Sequence, residues 1–477
     1  MNDLQTNVSA VETSPLRRNA FLSLAANSLT LVVSFLSVAF LPLAVSIETY
    51  GYWNLYLLIT GFVYVLSLGL NDGVYLRQGG KDFQDLKWPV LSRLFGLLSV
   101  WTLIVALALF VILGYFTQVP TIIVVGLASS VPLMVLRSFL TYLLQSTGRI
   151  AQYAVAIALD RGTFAVLLII MLLIRPSLAT LVAIDLLAKM LSLAYACFVL
   201  RAVISGICKP ANRTEVRREL RLSVGAGASL MIAGLASMAT IGVVRFSIQG
   251  VWGIAIFASV SLALSAAHLV TSFVQAVALV LFPWLRRISK LEMKSIFGRI
   301  EIVLFLLSQA VLLAYYPLKL VFSLAFPQYA DSLEFLFIFF PVVVYEARIA
   351  LLVVPFCNAL HRERVLLLIN VAGMVLSGIL VAIFAFYLEN LLLTVLTMLI
   401  AQWARATAGE IFVRSTLGFP IVTATSIDTL VLVVFLATAF YVDSFYGLVI
   451  ILVVGTCSIA AKWFLRNAKS KVHEVIS

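Results

Sequence analysis

Leu94–Leu136 reads LFGLLSVWTLIVALALFVILGYFTQVPTIIVVGLASSVPLMVL, 43 residues without a charged side chain. A hydrocarbon layer of about 30 Å takes roughly 20 residues of α-helix, so this run predicts two membrane crossings, broken around Gly114–Pro120. Strands of a membrane β-barrel would instead be short and would alternate apolar with polar residues, so the run excludes that architecture. Comparable runs on both sides predict fourteen spans, near 19–43, 52–70, 91–114, 120–143, 150–174, 178–203, 221–245, 252–283, 300–323, 333–356, 365–387, 391–413, 420–440 and 445–465. The whole chain agrees, being 63% hydrophobic and 11% charged with a mean hydropathy of +1.11. That is more apolar surface than one aqueous core hides, and the excess must face lipid.

Placing the N-terminus in the cytoplasm puts 25 of the 33 Lys and Arg in cytoplasmic segments, from Arg17 and Arg18 to Lys469 and Lys471. Only Arg175 and Lys319 fall in external loops. This bias predicts cytoplasmic N- and C-termini. It also accounts for the net charge of +12 without nucleic acid, because the basic residues are spread over the loops rather than gathered on one face. Cys197, Cys208, Cys357 and Cys457 show no metal-ligand or disulfide spacing. His268, His361 and His473 are too scattered to form a ligand set, so each is expected to be packed or solvated. The first apolar run is too long for a signal peptide and is expected to stay as a span. The loops are short, which leaves no room for a soluble catalytic domain, and an enzyme is not expected.

Two helix ends look alike. One span carries Pro132 and Arg137 and ends in Gln145-Ser146-Thr147-Gly148-Arg149; another, six spans later, carries Pro341 and Arg348 and ends in Asn358-Ala359-Leu360-His361-Arg362. An even offset predicts parallel repeats. The expected fold is thus an all-α polytopic membrane protein of about 14 transmembrane helices: a six-helix bundle over 15–204, a second over 220–415, and an accessory helix pair over 416–466. Gly225, Gly227, Ser229 and Gly234 are expected to serve close helix packing.

The stretch Tyr50-Gly51-Tyr52-Trp53-Asn54-Leu55-Tyr56, followed by Leu68 to Lys81 (LGLNDGVYLRQGGK), resembles the second-span region of bacterial polysaccharide-biosynthesis membrane proteins. These are the oligosaccharide flippases of the multidrug/oligosaccharidyl-lipid/polysaccharide exporter superfamily, and the turn from Gln145 to Arg149 is similar to their pattern as well. The resemblance implies two six-helix bundles around a central cavity. It also implies alternating access for a polyprenyl-diphosphate-linked oligosaccharide in a bacterial inner membrane, serving O-antigen, capsule or exopolysaccharide synthesis beside a polymerase and glycosyltransferases. A cation-coupled multidrug-type exporter of the same fold is the alternative, and a membrane sugar polymerase a more distant one.

A charge within the apolar layer is costly and marks a water-filled path or a partner. Arg137, Arg161, Lys189, Arg245, Arg348 and Arg405 lie at that depth, against Asp160, Asp185, Glu346 and Glu410, so simple pairing leaves cations over. A diphosphate head group would draw charge-assisted, partly bidentate hydrogen bonds from such cations. Arg137, Arg161, Lys189, Arg348 and Arg405 are therefore the candidate substrate-binding residues, with Arg245 placed near the outer interface. Asp185 and Lys189, four residues apart on one helix, form a candidate ion pair. Asp160, Asp185 and Glu346 are candidates for H⁺ or Na⁺ coupling. No other cofactor is expected.

Overall fold

The computed structural model describes residues 29–116, 119–174, 176–207, 211–285, 288–329, 334–419, 422–442 and 445–460. The termini, and with them Arg17, Arg18, Lys469 and Lys471, lie outside these residues, as do Arg175 and Cys208. Among the described residues the regular structure is helical throughout. In order the helices of nine or more residues are α1 (Leu29–Ala44), α2 (Ile47–Gly61), α3 (Leu70–Gln78), α4 (Trp88–Phe116), α5 (Thr121–Ser146), α6 (Ile150–Ile174) and α7 (Leu178–Val199). There follow α8 (Arg213–Leu285), α9 (Lys290–Ala325), α10 (Leu336–Ala359), α11 (Glu363–Tyr387), α12 (Leu391–Leu417), α13 (Val422–Tyr441) and α14 (Phe445–Ala460).

Nine of the described helices are long and apolar enough to cross a membrane, and the bent pair α2–α3 makes a tenth. The shorter apolar helices α1, α13 and α14 complete the set with α8, whose 73 residues would extend about 110 Å if straight. That is several times one hydrocarbon layer, so α8 holds two passes. It breaks at one residue, Gly253, with φ 82° and ψ −178°, a conformation that only glycine adopts without strain. Arg245 on the first arm donates to Ser261 on the second at 3.0 Å, with its guanidinium over the Phe257 ring, so the two arms lie side by side. The polytopic all-α class is thus as the hydropathy predicts, with about fourteen such helices among the described residues once the two arms of α8 are counted separately.

One span differs from expectation. The second was predicted to end near residue 70, with a loop from Asn71; instead the chain bends by 59° there and Leu70–Gln78 forms a further helix. Leu68 (φ 53°) and Gly69 (φ 76°) are both left-handed, which ends one helical segment and lets the next begin at once in a new direction. The close approach of α8 sets the residue types here. A Cβ on Gly73 would stand 1.8 Å from the Ser223 carbonyl oxygen, and one on Gly227 1.9 Å from that of Gly69. A Cβ on Gly234 would meet the Tyr64 hydroxyl at 2.9 Å, so Gly227 and Gly234 serve packing as expected, whereas Gly225 faces open space.

The chain divides into two compact units, Met1–Met238 and Ala239–Ser477, with the boundary inside the first arm of α8. In unit 1, α5 packs on α4, α7 and α3, and α6 packs on α7. In unit 2, α10 packs on α9, α12 and α13, and α11 packs on α12. α10 is the core of its unit, with every residue from Leu336 to Tyr345 buried, whereas α4 exposes Leu97, Val100, Leu103 and Leu107 on its outer face. Such a surface suits lipid.

Two turns share one construction. After α5, Arg149 N–H donates to Leu144 O at 2.8 Å and Gly148 N–H to Gln145 O at 3.2 Å; after α10, Arg362 N–H donates to Cys357 O at 2.8 Å and His361 N–H to Asn358 O at 3.3 Å. Gly148 (φ 73°) and His361 (φ 53°) occupy the left-handed position in each. These are the two helix ends that looked alike in sequence.

Candidate functional site

In unit 1 the polar residues at mid-helix gather where α2, α5, α6 and α7 meet. α5 carries Gly126 where a Cβ would lie 2.5 Å from Val182 and 3.2 Å from the Tyr56 ring, so α5 can close on both neighbours. Tyr56 is fully buried, stacked with Trp53 at 5.5 Å, and Trp53 stacks in turn on Phe164 at 5.8 Å. The Tyr56 hydroxyl donates to Asp185 Oδ2 at 2.6 Å, and Lys189 pairs with the same oxygen. Asp185 and Lys189 thus form the intrahelical pair that their spacing predicts.

Beside it, Arg137 on α5 pairs with Asp160 on α6, and Arg161 Nε stands 3.8 Å from the same Asp160 oxygen. Two guanidinium groups share one carboxylate. Arg137 is nearly enclosed, but the Arg161 side chain is 43% exposed. The position is twelfth in an apolar helix of 25 residues, so an exposed guanidinium there needs a polar environment rather than hydrocarbon. Arg137, Arg161 and Lys189 face Asp160 and Asp185, leaving a formal surplus of one positive charge in this cluster.

Unit 2 holds a different arrangement. His268 Nε2 lies 3.1 Å from Glu346 Oε2, and Gln402 Nε2 donates to Glu346 Oε1 at 3.1 Å. Arg405 donates to Gln402 Oε1 at 2.8 Å and to Asn370 Oδ1 at 2.7 Å. A carboxylate only accepts and a guanidinium only donates, so the Gln402 amide between them has one satisfying orientation. Its NH₂ faces Glu346 and its oxygen faces Arg405. Gly373 makes the room, since a Cβ there would stand 2.3 Å from Arg405 Cδ.

Arg348 departs from expectation. Rather than lining a cavity it is enclosed, its side chain 3% exposed, with Nε and Nη2 on Glu410 at 2.5 and 2.6 Å and Nη1 on Asp428 at 2.5 Å. This fork-to-carboxylate geometry occupies all three guanidinium nitrogens and removes Arg348 from the candidate site. Arg414, just past the predicted span 391–413, is likewise buried and paired with Glu301. Asp428, inside the predicted span 420–440, is a fifth acid facing the six cations at depth, so their surplus is smaller than expected, while Glu301 is taken up by Arg414. The place of Asp428 within that span was legible in the sequence. The His268–Glu346 contact, by contrast, joins residues far apart in sequence with no local signal. Among the described residues no group of three or more His, Cys, Asp or Glu is placed to hold a metal.

No protein-family model and no curated protein matches the sequence. Solved structures do. One is an inward-facing conformation of a multidrug resistance MATE family transporter of the MOP superfamily, with TM-score 0.64 and 12% identity, covering 84% of this chain and 98% of that one. Another is the lipid II flippase MurJ in an inward closed conformation, with TM-score 0.62 and 12% identity, covering 94% and 99%. A third is a MOP superfamily transporter from Pyrococcus furiosus, with TM-score 0.51 and 13% identity over 85% and 95%. The protein has the fold of MOP superfamily transporters.

Proposed function

We propose that the protein is a flippase that carries a polyprenyl-diphosphate-linked oligosaccharide across a bacterial inner membrane by alternating access, for surface polysaccharide synthesis. Its termini are cytoplasmic, and a polymerase and glycosyltransferases act beside it. One observation carries this reading: Arg161, half-exposed in the middle of an apolar helix, shares its carboxylate with Arg137. A surplus cation held at that depth suits an anionic head group, whose passage through hydrocarbon unaided would be prohibitive. Lys189 and Arg137 add to the positive field, and Arg405 is the corresponding candidate in unit 2. The polyprenyl tail stays in lipid.

For coupling to H⁺ or Na⁺, Glu346 is preferred over Asp160 and Asp185. Asp160 is held by Arg137, and Asp185 by both Tyr56 and Lys189, whereas Glu346 pairs with an imidazole. The other reading, a cation-coupled exporter of drug-like molecules, fits the same fold.

Proteoliposomes separate the two. The flippase reading expects translocation of a fluorescent polyprenyl-diphosphate saccharide, reduced roughly ten- to hundredfold in Arg161→Ala, as befits loss of a charge-assisted hydrogen bond. Arg161→Lys should keep part of the activity, preserving charge but not the fork. Uptake of a cationic dye with no movement of the saccharide would reverse the assignment.

A further inference from the structure

We propose that unit 1 carries a second anion site, away from the mid-helix cluster, which binds the phosphate head group of a membrane lipid. A cleft of about 460 Å³ lies between the end of α3, the segment leading into α4 and the first turns of α8. Four cations line it: Arg77, Lys81, Lys87 and Arg218. From α8 come Glu215, Arg218, Glu219 and Leu222, spaced by three, four and seven residues and so on one helical face.

The pairing within the cleft decides which charges are left for a ligand. Arg77 clasps Glu219 through Nε and Nη2 at 2.8 and 2.7 Å, and Lys87 pairs with Glu215. Both glutamates are thereby matched by cations on the opposite wall. Arg218 stands between them on the same face, and the Lys81 ammonium donates to a neutral partner, Gln78 Oε1, at 3.0 Å. Against these two cations the remaining acid in the lining is Asp85. The residual charge is positive and open to solvent.

The lining also has apolar members: Val90 and Leu91, buried in the first turn of α4, and Leu222, exposed on the α8 face. A cationic cleft with the exposed Leu222 beside it, sited where helices leave the apolar layer, matches an amphiphile whose head group is a phosphate ester. A soluble phosphate would use the cations and leave Leu222 without a partner. The site is independent of the transport reading, since lipid bound there need not be cargo.

The test uses the purified full chain in detergent with phosphatidylglycerol, phosphatidylcholine or inorganic pyrophosphate, scored by native mass spectrometry. The expected result is retention of phosphatidylglycerol over phosphatidylcholine. Affinity should weaken about fivefold in Arg218→Ala and about 25-fold when Lys81→Ala is added, at the usual value of one interfacial cation. Arg218→Lys should recover most of the loss, and Arg217→Ala, at a position that does not line the cleft, should bind as the parent does. Both cations are exposed, so the variants should fold, which their melting temperatures verify. Equal retention of the two lipids, or a double variant that binds like the parent, overturns the proposal and leaves the cluster as an ion-pair latch. Pyrophosphate binding as tightly as phosphatidylglycerol, and lost in the double variant, overturns the lipid assignment in favour of a free phosphate.

Discussion

Arg137 in unit 1 and Arg348 in unit 2 each precede a turn of the same construction, yet they meet opposite surroundings. Arg137 shares the single carboxylate of Asp160 with Arg161, which leaves one positive charge over; Arg348 lies between Glu410 and Asp428, which leaves one negative charge over. The first cluster keeps a partly exposed guanidinium, and the second is sealed. A buried ion pair is weak evidence for stability in itself, but breaking one strands a charge. The contrast therefore separates a cation that holds helices together from one available to a ligand. The backbone supports the same division. α10 passes through a π-helical segment, Ile349–Val353, directly after Arg348, so the two arginines stand at different distances from their matching turns. Such segments re-aim the side chains around them.

The largest expected effect lies at Arg348. Arg348→Ala should lower stability on the order of 3–5 kcal/mol by leaving Glu410 and Asp428 buried without a cation. Arg348→Met combined with Glu410→Gln and Asp428→Asn should return most of it. Arg137→Ala should cost less, about 1–2 kcal/mol, because Arg161 remains beside Asp160. Thermal unfolding in detergent measures both. Equal losses at the two arginines would break the comparison.

A smaller effect is expected on α11. Gly373→Ala drives a methyl into the Arg405 side chain, which two hydrogen bonds hold in place, and should cost about 1–3 kcal/mol. Gly378→Ala on the same helix meets nothing within 4 Å and should be neutral or stabilising by up to about 1 kcal/mol. A harmless Gly373→Ala would mean that Arg405 is loosely held. That would make Arg405 more like Arg161 than like Arg348.

The smallest effect concerns the paired turns. Gly148→Ala should cost roughly 1 kcal/mol at its left-handed position, where its space is open, and His361→Gly should gain a similar amount. Opposite signs in the two melting temperatures would sharpen the equivalence of the turns. Changes of the same sign would count against it.

The helical class, the number of spans and the likeness of the two helix ends were legible in the sequence, as was the Asp185–Lys189 pair, because each rests on local regularities. The bend at Leu68–Gly69 was not, since close packing against Gly227 gives Gly69 and Gly73 their purpose. Among the candidate cations the sequence located the residues but not their standing. Arg137 finds its carboxylate 23 residues away, and Arg348 finds its two at 62 and 80.

Hydropathy sums residue by residue along the chain, so transfer from water to lipid fixes which segments become spans without reference to neighbours. Whether a charge within a span is spent or available depends on which helix faces it and at what height. That register comes from side-chain packing between distant segments: Gly126 admitting Tyr56, Gly373 admitting Arg405, and α13 bringing Asp428 to Arg348. The sequence by itself thus determined a membrane-spanning bundle with cations at depth, and only the tertiary structure decided that Arg161 is open and Arg348 closed.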